Sequence, residues 1–284
     1  MIFAVRLIGG INPVPFVQIK STHMKQAIIT IIFFFLILVP LRAQNDFKVI
    51  RVNGSILIRE RNVSLETGTV FSEKEDLLFK TDDATAAVIN AQKGRVVITS
   101  RNHDLSTIKS NYLPSMYNIS SRGGSLSMSA DLSNHFSGRY VVLERESTII
   151  DRSTFPMDND HFFFLRYRYK NEDINKKLSF SGDSLIIDKK SLFTVDGNPI
   201  PSADNTSIRL YYHKGNESVF IGEFDLIFPE MNQLAKETEV ILSEIKGKTA
   251  SEKINDVGAY INEFYGKVSY EQLKPWLDKK FGVK

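Results

Sequence analysis

Gly247-Lys248-Thr249 has the ending of a phosphate-binding loop, in which backbone N–H groups cradle the phosphates and the lysine neutralises them. The full loop needs a glycine five positions earlier, and Leu242 stands there. A glycine closing one helix and a threonine capping the next account for the triplet. Ser106-Thr107-Ile108-Lys109 and Ser243-Glu244-Ile245-Lys246 have the Ser-x-x-Lys spacing of serine acyl enzymes, without an accompanying Lys-Thr-Gly or Ser-Asp-Asn element. His103, His135, His161 and His213 are scattered, and none makes His-Glu-x-x-His or a ligand pair that would hold zinc. A catalytic set assembled from distant positions stays open. Asp158-Asn159-Asp160 and Asp183 sit among turn formers, without the spacing or glycine of a calcium loop, and are expected to bond their own backbone. The remaining group is a row of cations. In residues 161–170, HFFFLRYRYK, alternation puts Leu165, Tyr167 and Tyr169 on one strand face and Arg166, Arg168 and Lys170 on the other. Such a row suits an anionic glycan, a lipid head group or an acidic partner. It equally suits a solvated sheet face or an edge guarded against strand pairing. Arg166, Arg168 and Lys170 are the candidate ligand-binding residues. The spacings define no catalytic residues and no metal ligands, and they call for no cofactor.

The segment that decides where these residues act lies at 24–44, MKQAIITIIFFFLILVPLRAQ. Lys25 gives a positive start, 27–39 is apolar apart from Thr30, and Pro40 interrupts the run before Ala43-Gln44. That is the layout of a secretory signal peptide cleaved after Ala43. The run falls short of the roughly 20 residues that a spanning helix needs, so no integral membrane span is expected after cleavage. Residues 1–23 precede a complete leader and are expected to be a non-native extension, with translation starting at Met24. Four of the 36 basic residues and none of the 33 acidic ones precede Gln44. The mature chain is therefore near neutrality, at −1, and the basic pI of 8.8 belongs mostly to the segment before Gln44. Binding to nucleic acid, which needs a basic mature domain, is not expected. The chain has no cysteine, which removes lipid attachment at a leader cysteine, thiol catalysis and disulfide support. A secreted or periplasmic protein held by its core alone is the expectation.

Residues 44–100 carry short apolar runs broken by turn signals, as a small β-barrel or sandwich does. Val49 and Val52 precede Asn53-Gly54, which predicts a hairpin into Ile56 and Ile58. Leu65-Glu66-Thr67-Gly68, the pair at Leu77-Leu78-Phe79, the small-residue run Ala84-Thr85-Ala86-Ala87-Val88 and Lys93-Gly94-Arg95-Val96-Val97-Ile98 follow. With the early glycine at Gly54, this pattern resembles the FecR-type extracytoplasmic β domain. The resemblance implies a fold and an envelope location. FecR-type regulators also place a cytosolic anti-sigma segment before a spanning helix, and 1–23 is too short and apolar to be one.

Residues 101–137 are rich in Ser and Asn around Arg122-Gly123-Gly124 and predict a linker. Residues 138–228 predict an Ig-like sandwich, with strands at 161–170, 184–188, 208–212 and 219–228. In 229–284 the period becomes helical. Met231, Leu234, Ile241 and Ile245 make one stripe, and Ile254, Val257, Ile261 and Phe264 make a second behind a Thr249/Glu252 capping box. The expected fold class is mainly β, two small antiparallel β-sandwich or barrel domains plus a helical C-terminal segment. The expected function is an exported, non-catalytic envelope binding or structural module, with an envelope protein or anionic glycan as partner. A cell-wall or polysaccharide hydrolase and an extracytoplasmic signalling component are the alternatives.

Overall fold

Short apolar runs become strands from the first described residue onward. The computed structural model describes residues 46–105, 125–195, 197–200 and 204–284. The expected leader at 24–43, residues 1–23, Ser106, Lys109 and Arg122-Gly123-Gly124 lie outside them. The first strands are β1 (Asp46–Asn53), β2 (Ile56–Ile58), β3 (Val63–Ser64), β4 (Val70–Ser72), β5 (Leu77–Phe79), β6 (Thr85–Asn90) and β7 (Gly94–Thr99). They divide into a four-stranded sheet of order β4-β1-β6-β7 and a three-stranded sheet of order β3-β2-β5. Phe47, Val49, Ile56, Ile58, Phe71 and Ile98 form the core of this region. Lys93-Gly94 closes the expected hairpin between β6 and β7. Asn53-Gly54 does not close one, because β1 and β2 belong to different sheets. Gly54 has the positive φ that the dipeptide predicts, +76°, but it turns a corner. A Cβ there would come within 2.9 Å of the Ala84 Cα.

β1 carries a bulge. Val49 pairs with Val88 and Arg51 with Ala87, so Ile50 is the extra residue. A bulge puts two consecutive side chains on one face. Val49 joins the core of its own sheets, while Ile50 and Arg51 both turn outward.

The second β region begins inside the stretch expected to link. Residues Ser129–His135 form a helix, α1, and Leu132 and Phe136 bury completely in the core that follows. The strands are β8 (Gly138–Val141), β9 (Arg145–Ile149), β10 (His161–Tyr169), β11 (Glu172–Lys177), β12 (Ser179–Ser181) and β13 (Ser184–Asp188). A short helix α2 (Lys189–Leu192) and strands β14 (Thr194–Val195), β15 (Asn198–Pro199), β16 (Asp204–Lys214) and β17 (Glu217–Ile227) complete it. After β17 come helices α3 (Met231–Glu244) and α4 (Ala250–Phe264), the two-residue strand β18 (Lys267–Val268) and helix α5 (Tyr270–Phe281). The main sheet has six strands in the order β11-β10-β16-β17-β8-β18. A three-stranded sheet, β12-β13-β9, contributes Leu185 and Ile187 to the core that also holds Leu165, Tyr167 and Leu210. Pairing is antiparallel except at β8, which runs parallel to both β17 and β18.

The helical tail packs on both β regions. Leu234, Ile241, Ile254, Val257, Ile261, Leu273 and Leu277 share a core with Ile50, Ala87 and Ile89 of the first region and with Val141 and Leu143 of the second. Each Leu, Ile or Val side chain among them contributes roughly 1.5–3 kcal/mol on burial. β8 is buried on both faces, with Tyr140 and Val142 in one core and Val141 and Leu143 in the other. Gly266 permits the approach of β18 to β8, since a Cβ there would sit 2.3 Å from the Arg139 carbonyl oxygen. Residues Asn45–Lys284 form one compact unit. No described helix is long and apolar enough to cross a membrane.

Candidate functional site

The helices leave open the outer face of the six-stranded sheet across β11, β10, β16 and β17. Alternation along β10 points Phe162, Phe164, Arg166 and Arg168 to that face, opposite Leu165 and Tyr167 in the core. Pairing fixes their neighbours. Phe164 lies between Lys177 of β11 and Tyr211 of β16, and Arg166 lies between Asn175 and Arg209. Tyr211 in turn faces Phe220 of β17. The rings order one another. Phe164 and Tyr211 stack at 5.0 Å with 7° between their planes, Phe162 sits 4.6 Å from the His213 ring, and Phe220 meets Tyr211 edge-on at 5.6 Å. The cations lie on the rings: Lys177 Nζ is 4.1 Å from the centre of Phe162, and the Arg166 guanidinium is 4.9 Å from that of Tyr211. The Arg166 Nε also donates to Asn175 Oδ1 at 2.7 Å. That side chain is positioned before any ligand arrives.

The three candidate residues do not share one row. Arg166 and Arg168 are on the open face, whereas Lys170 has left the strand. It occupies the two-residue turn between Tyr169 and Glu172, with φ of +48°, and its Nζ lies 5.3 Å from the centre of the Tyr169 ring. Asn171 beside it has φ of +67°. Positive φ at both positions is the geometry of the tight hairpin turn that matches strand twist. Residues 161–170 do not mark where the strand stops, because neither Lys170 nor Asn171 is a glycine. Phe162, Phe164, Lys177, Arg209 and Tyr211 escaped the sequence reading. The period-2 alternation that isolates Arg166 and Arg168 also reaches Phe162 and Phe164; the others need the strand pairing.

Two buried carboxylates draw attention as chemistry and resolve as structure. Glu237 of α3 is fully buried. It accepts from Tyr260 Oη at 2.8 Å, Tyr265 Oη at 2.6 Å and Gln233 Nε2 at 3.0 Å, and Arg51 Nη1 is 3.4 Å away. Burial, with the carboxylate facing them, pushes both phenols above their usual range. Glu146 of β9 accepts from Tyr140 Oη at 2.5 Å, Gln272 Nε2 at 2.9 Å and Thr148 Oγ1 at 3.4 Å, and His135 Nε2 is 3.5 Å away. Gln272 also donates to the Val141 carbonyl and accepts from the Leu143 N–H, fastening α5 to β8. Both carboxylates are surrounded by protein donors, as a buried charge requires.

The remaining motifs fall apart in space or find structural partners. Thr249 caps α4, with its Oγ1 accepting from the Glu252 N–H and Glu252 accepting in return, while Lys248 pairs with Asp256 at 2.7 Å. Ser243 Oγ donates to the Val240 carbonyl and accepts from Lys48 Nζ at 2.9 Å. A serine beside a lysine resembles a catalytic dyad, but this one lies in the last turn of α3, whose dipole disfavours an oxyanion. Lys48 is also 3.6 Å from Glu244, which holds its charge. Asp158 binds the N–H groups of Asp160 and His161, and the His161 side-chain bond keeps its carboxyl below the usual range. His103 packs on Phe79, so the histidines do not gather. No set of three metal-ligating side chains converges among the described residues. A cleft of about 400 Å³ beside the end of α5 is lined by Leu242, Lys246, Lys253 and Phe281, with no acidic side chain.

Compared with protein-family models, with curated proteins and with solved structures, the chain matches none of them.

Proposed function

We propose that the chain is an exported, non-catalytic binding or structural module of the cell envelope, released to the periplasm or the medium after cleavage behind Ala43, and that it meets its partner through the open sheet face. The leader at 24–43, the cysteine-free mature chain and the FecR-like pattern at 44–100 support the location. The observation that carries the binding role is Arg166, half-buried on the open face and held in place by Asn175 and Tyr211. A side chain ordered before binding loses less entropy on contact. The near-neutral mature chain makes nucleic acid an unsuitable partner. The hydrolase alternative needs two carboxylates flanking a cleft, and neither Glu146 nor Glu237 lines the one described.

Expression of the full chain in a Gram-negative host tests both parts. The exported product is expected to begin at Gln44 by intact mass. It should sediment with isolated envelope material, and a variant carrying Arg166→Ala, Arg168→Ala and Arg209→Ala should stay in solution. Equal sedimentation of the two proteins, or retention of the uncleaved chain in the cytoplasm, would remove the proposal.

A further inference from the structure

The open face holds Arg166, Arg168, Lys177 and Arg209 against three acidic residues: Asp173 and Asp204 on either side of Arg168, and Glu223 across from Arg209. None of these four cations forms an ion pair among the described residues. Arg166, Arg209 and Lys177 outnumber the one acidic residue paired with them, whereas Arg168 lies between two. Arg166 and Arg168 are two residues apart on β10, about 7 Å along the strand. Arg209 faces Arg166 across the ladder at about 5 Å. Around Arg166, Arg209 and Lys177 the face is a flat grid of positive charge. It suits negative charges repeated along an extended polymer better than a single ion.

The aromatic residues say what such a partner is not. Phe164 and Tyr211 cover each other's faces, while Arg166 and Lys177 cover Tyr211 and Phe162. The apolar area left for a partner is small, and Phe220 across from Tyr211 is its exposed large member. Protein interfaces draw most of their affinity from aromatic anchors entering pockets, and a membrane surface needs an apolar wedge. Here the rings are used to orient cations. What they present is guanidinium, whose planar fork matches a carboxylate with two parallel bonds. The Arg166 Nε is engaged by Asn175, which leaves the two Nη groups as the donors for such a fork.

We infer that the occupant of this face is an acidic polysaccharide, an extended chain of sugars bearing carboxylates; the inference rests on the binding role proposed above. Polygalacturonate is the probe, with dextran as the neutral control and phosphatidylglycerol–phosphatidylcholine vesicles as the lipid arm. In affinity electrophoresis the full chain should be retarded by polygalacturonate and not by dextran, with retardation falling as salt rises. Arg166→Ala with Arg209→Ala should weaken it about tenfold, as expected on losing two charge-assisted contacts. Ile149→Ala, an exposed apolar position of β9 outside this sheet, should change it by less than about twofold. An unchanged thermal midpoint in each variant shows that the fold is intact. No retardation of the wild type, or equal retardation of the double variant, overturns the inference. So does vesicle binding that disappears with Phe220→Ala, which would assign the face to lipid. If the wild type still sediments with envelope material through its three arginines but ignores polygalacturonate, this inference falls and the proposed function stands. If it does neither, both fall.

Discussion

Glu237 shows how much of this molecule depends on one side chain. Tyr260, Tyr265, Gln233 and Arg51 converge on it from α3, from α4 and its C-cap, and from β1. Glu237→Ala would leave all of those groups buried or half-buried without their acceptor. The expected loss is about 3–5 kcal/mol, the range for breaking a buried charged network, measured by urea denaturation. The same cluster sets the alkaline limit. The folded state holds both phenols above their unfolded value, so it favours their protonated form. That contribution is fully present below the unfolded tyrosine pKa of about 10 and is lost as pH rises above it. Stability measured across that window should fall, and Tyr260→Phe should flatten the fall. Thr238, next in the helix, makes the opposite case. Its Oγ1 is buried and has no hydrogen-bond partner among the described residues. Thr238→Val is expected to raise stability by about 1 kcal/mol by removing an unpaired polar atom. Both positions were legible in part. Glu237 and Thr238 fall on the stripe between Leu234 and Ile241, where a polar residue announces a buried partner. Glu146 likewise faces inward by alternation with Thr148 and Ile150. What the spacing does not tell is which partner waits, because Arg51 is 186 positions from Glu237.

At the scale of elements, local pattern served wherever an element makes its own hydrophobic face. β10 and β13 and the stripes of α3 and α4 fall where apolar periodicity puts them. β11, Glu-Asp-Ile-Asn-Lys-Lys, has one apolar residue, Ile174, packing on the core and is otherwise an exposed edge. Nothing in its composition separates it from a loop; it is a strand because β10 offers it a ladder. α1 was hidden the same way, since Leu132 and Phe136 bury against β17 and β8 from a stretch dominated by Ser and Asn. The turn that joins β10 to β11 gives the test at this scale. Lys170 holds positive φ without being a residue that favours it, and Asn171 tolerates it less freely than glycine does. Lys170→Asn with Asn171→Gly supplies the preferred pair and should stabilise the protein by about 0.5–1 kcal/mol, read as a higher midpoint in urea. An unchanged or lower midpoint would mean that the lysine contact with Tyr169 outweighs the backbone gain.

For the whole molecule the helical tail is the organising feature. Two β regions would each present an apolar outer face, and the three helices cover both. The chain's one tryptophan, Trp276, sits in this layer beside Phe281, while most strand signal comes from the sheets. Tryptophan fluorescence and far-ultraviolet circular dichroism should therefore lose their native values in one coincident transition. Two separated transitions would show that the β regions unfold without the helices. The amphipathic stripes made it legible that the tail must be buried somewhere. That it packs on both regions at once was not legible, because the receiving residues, Ile50, Ile89, Val141 and Leu143, look like ordinary strand interior in a linear chain.

Ile50 has a consequence for chain length as a heritable variable. It is surplus to the ladder: with it deleted, Val49 and Arg51 would follow one another in regular alternation opposite Val88 and Ala87. The first β region is complete without it, and only the helical layer gains from it. An ancestor one residue shorter in β1 would have had a regular strand and a smaller seat for the tail. The insertion and the helical cover are expected to be inherited together or absent together.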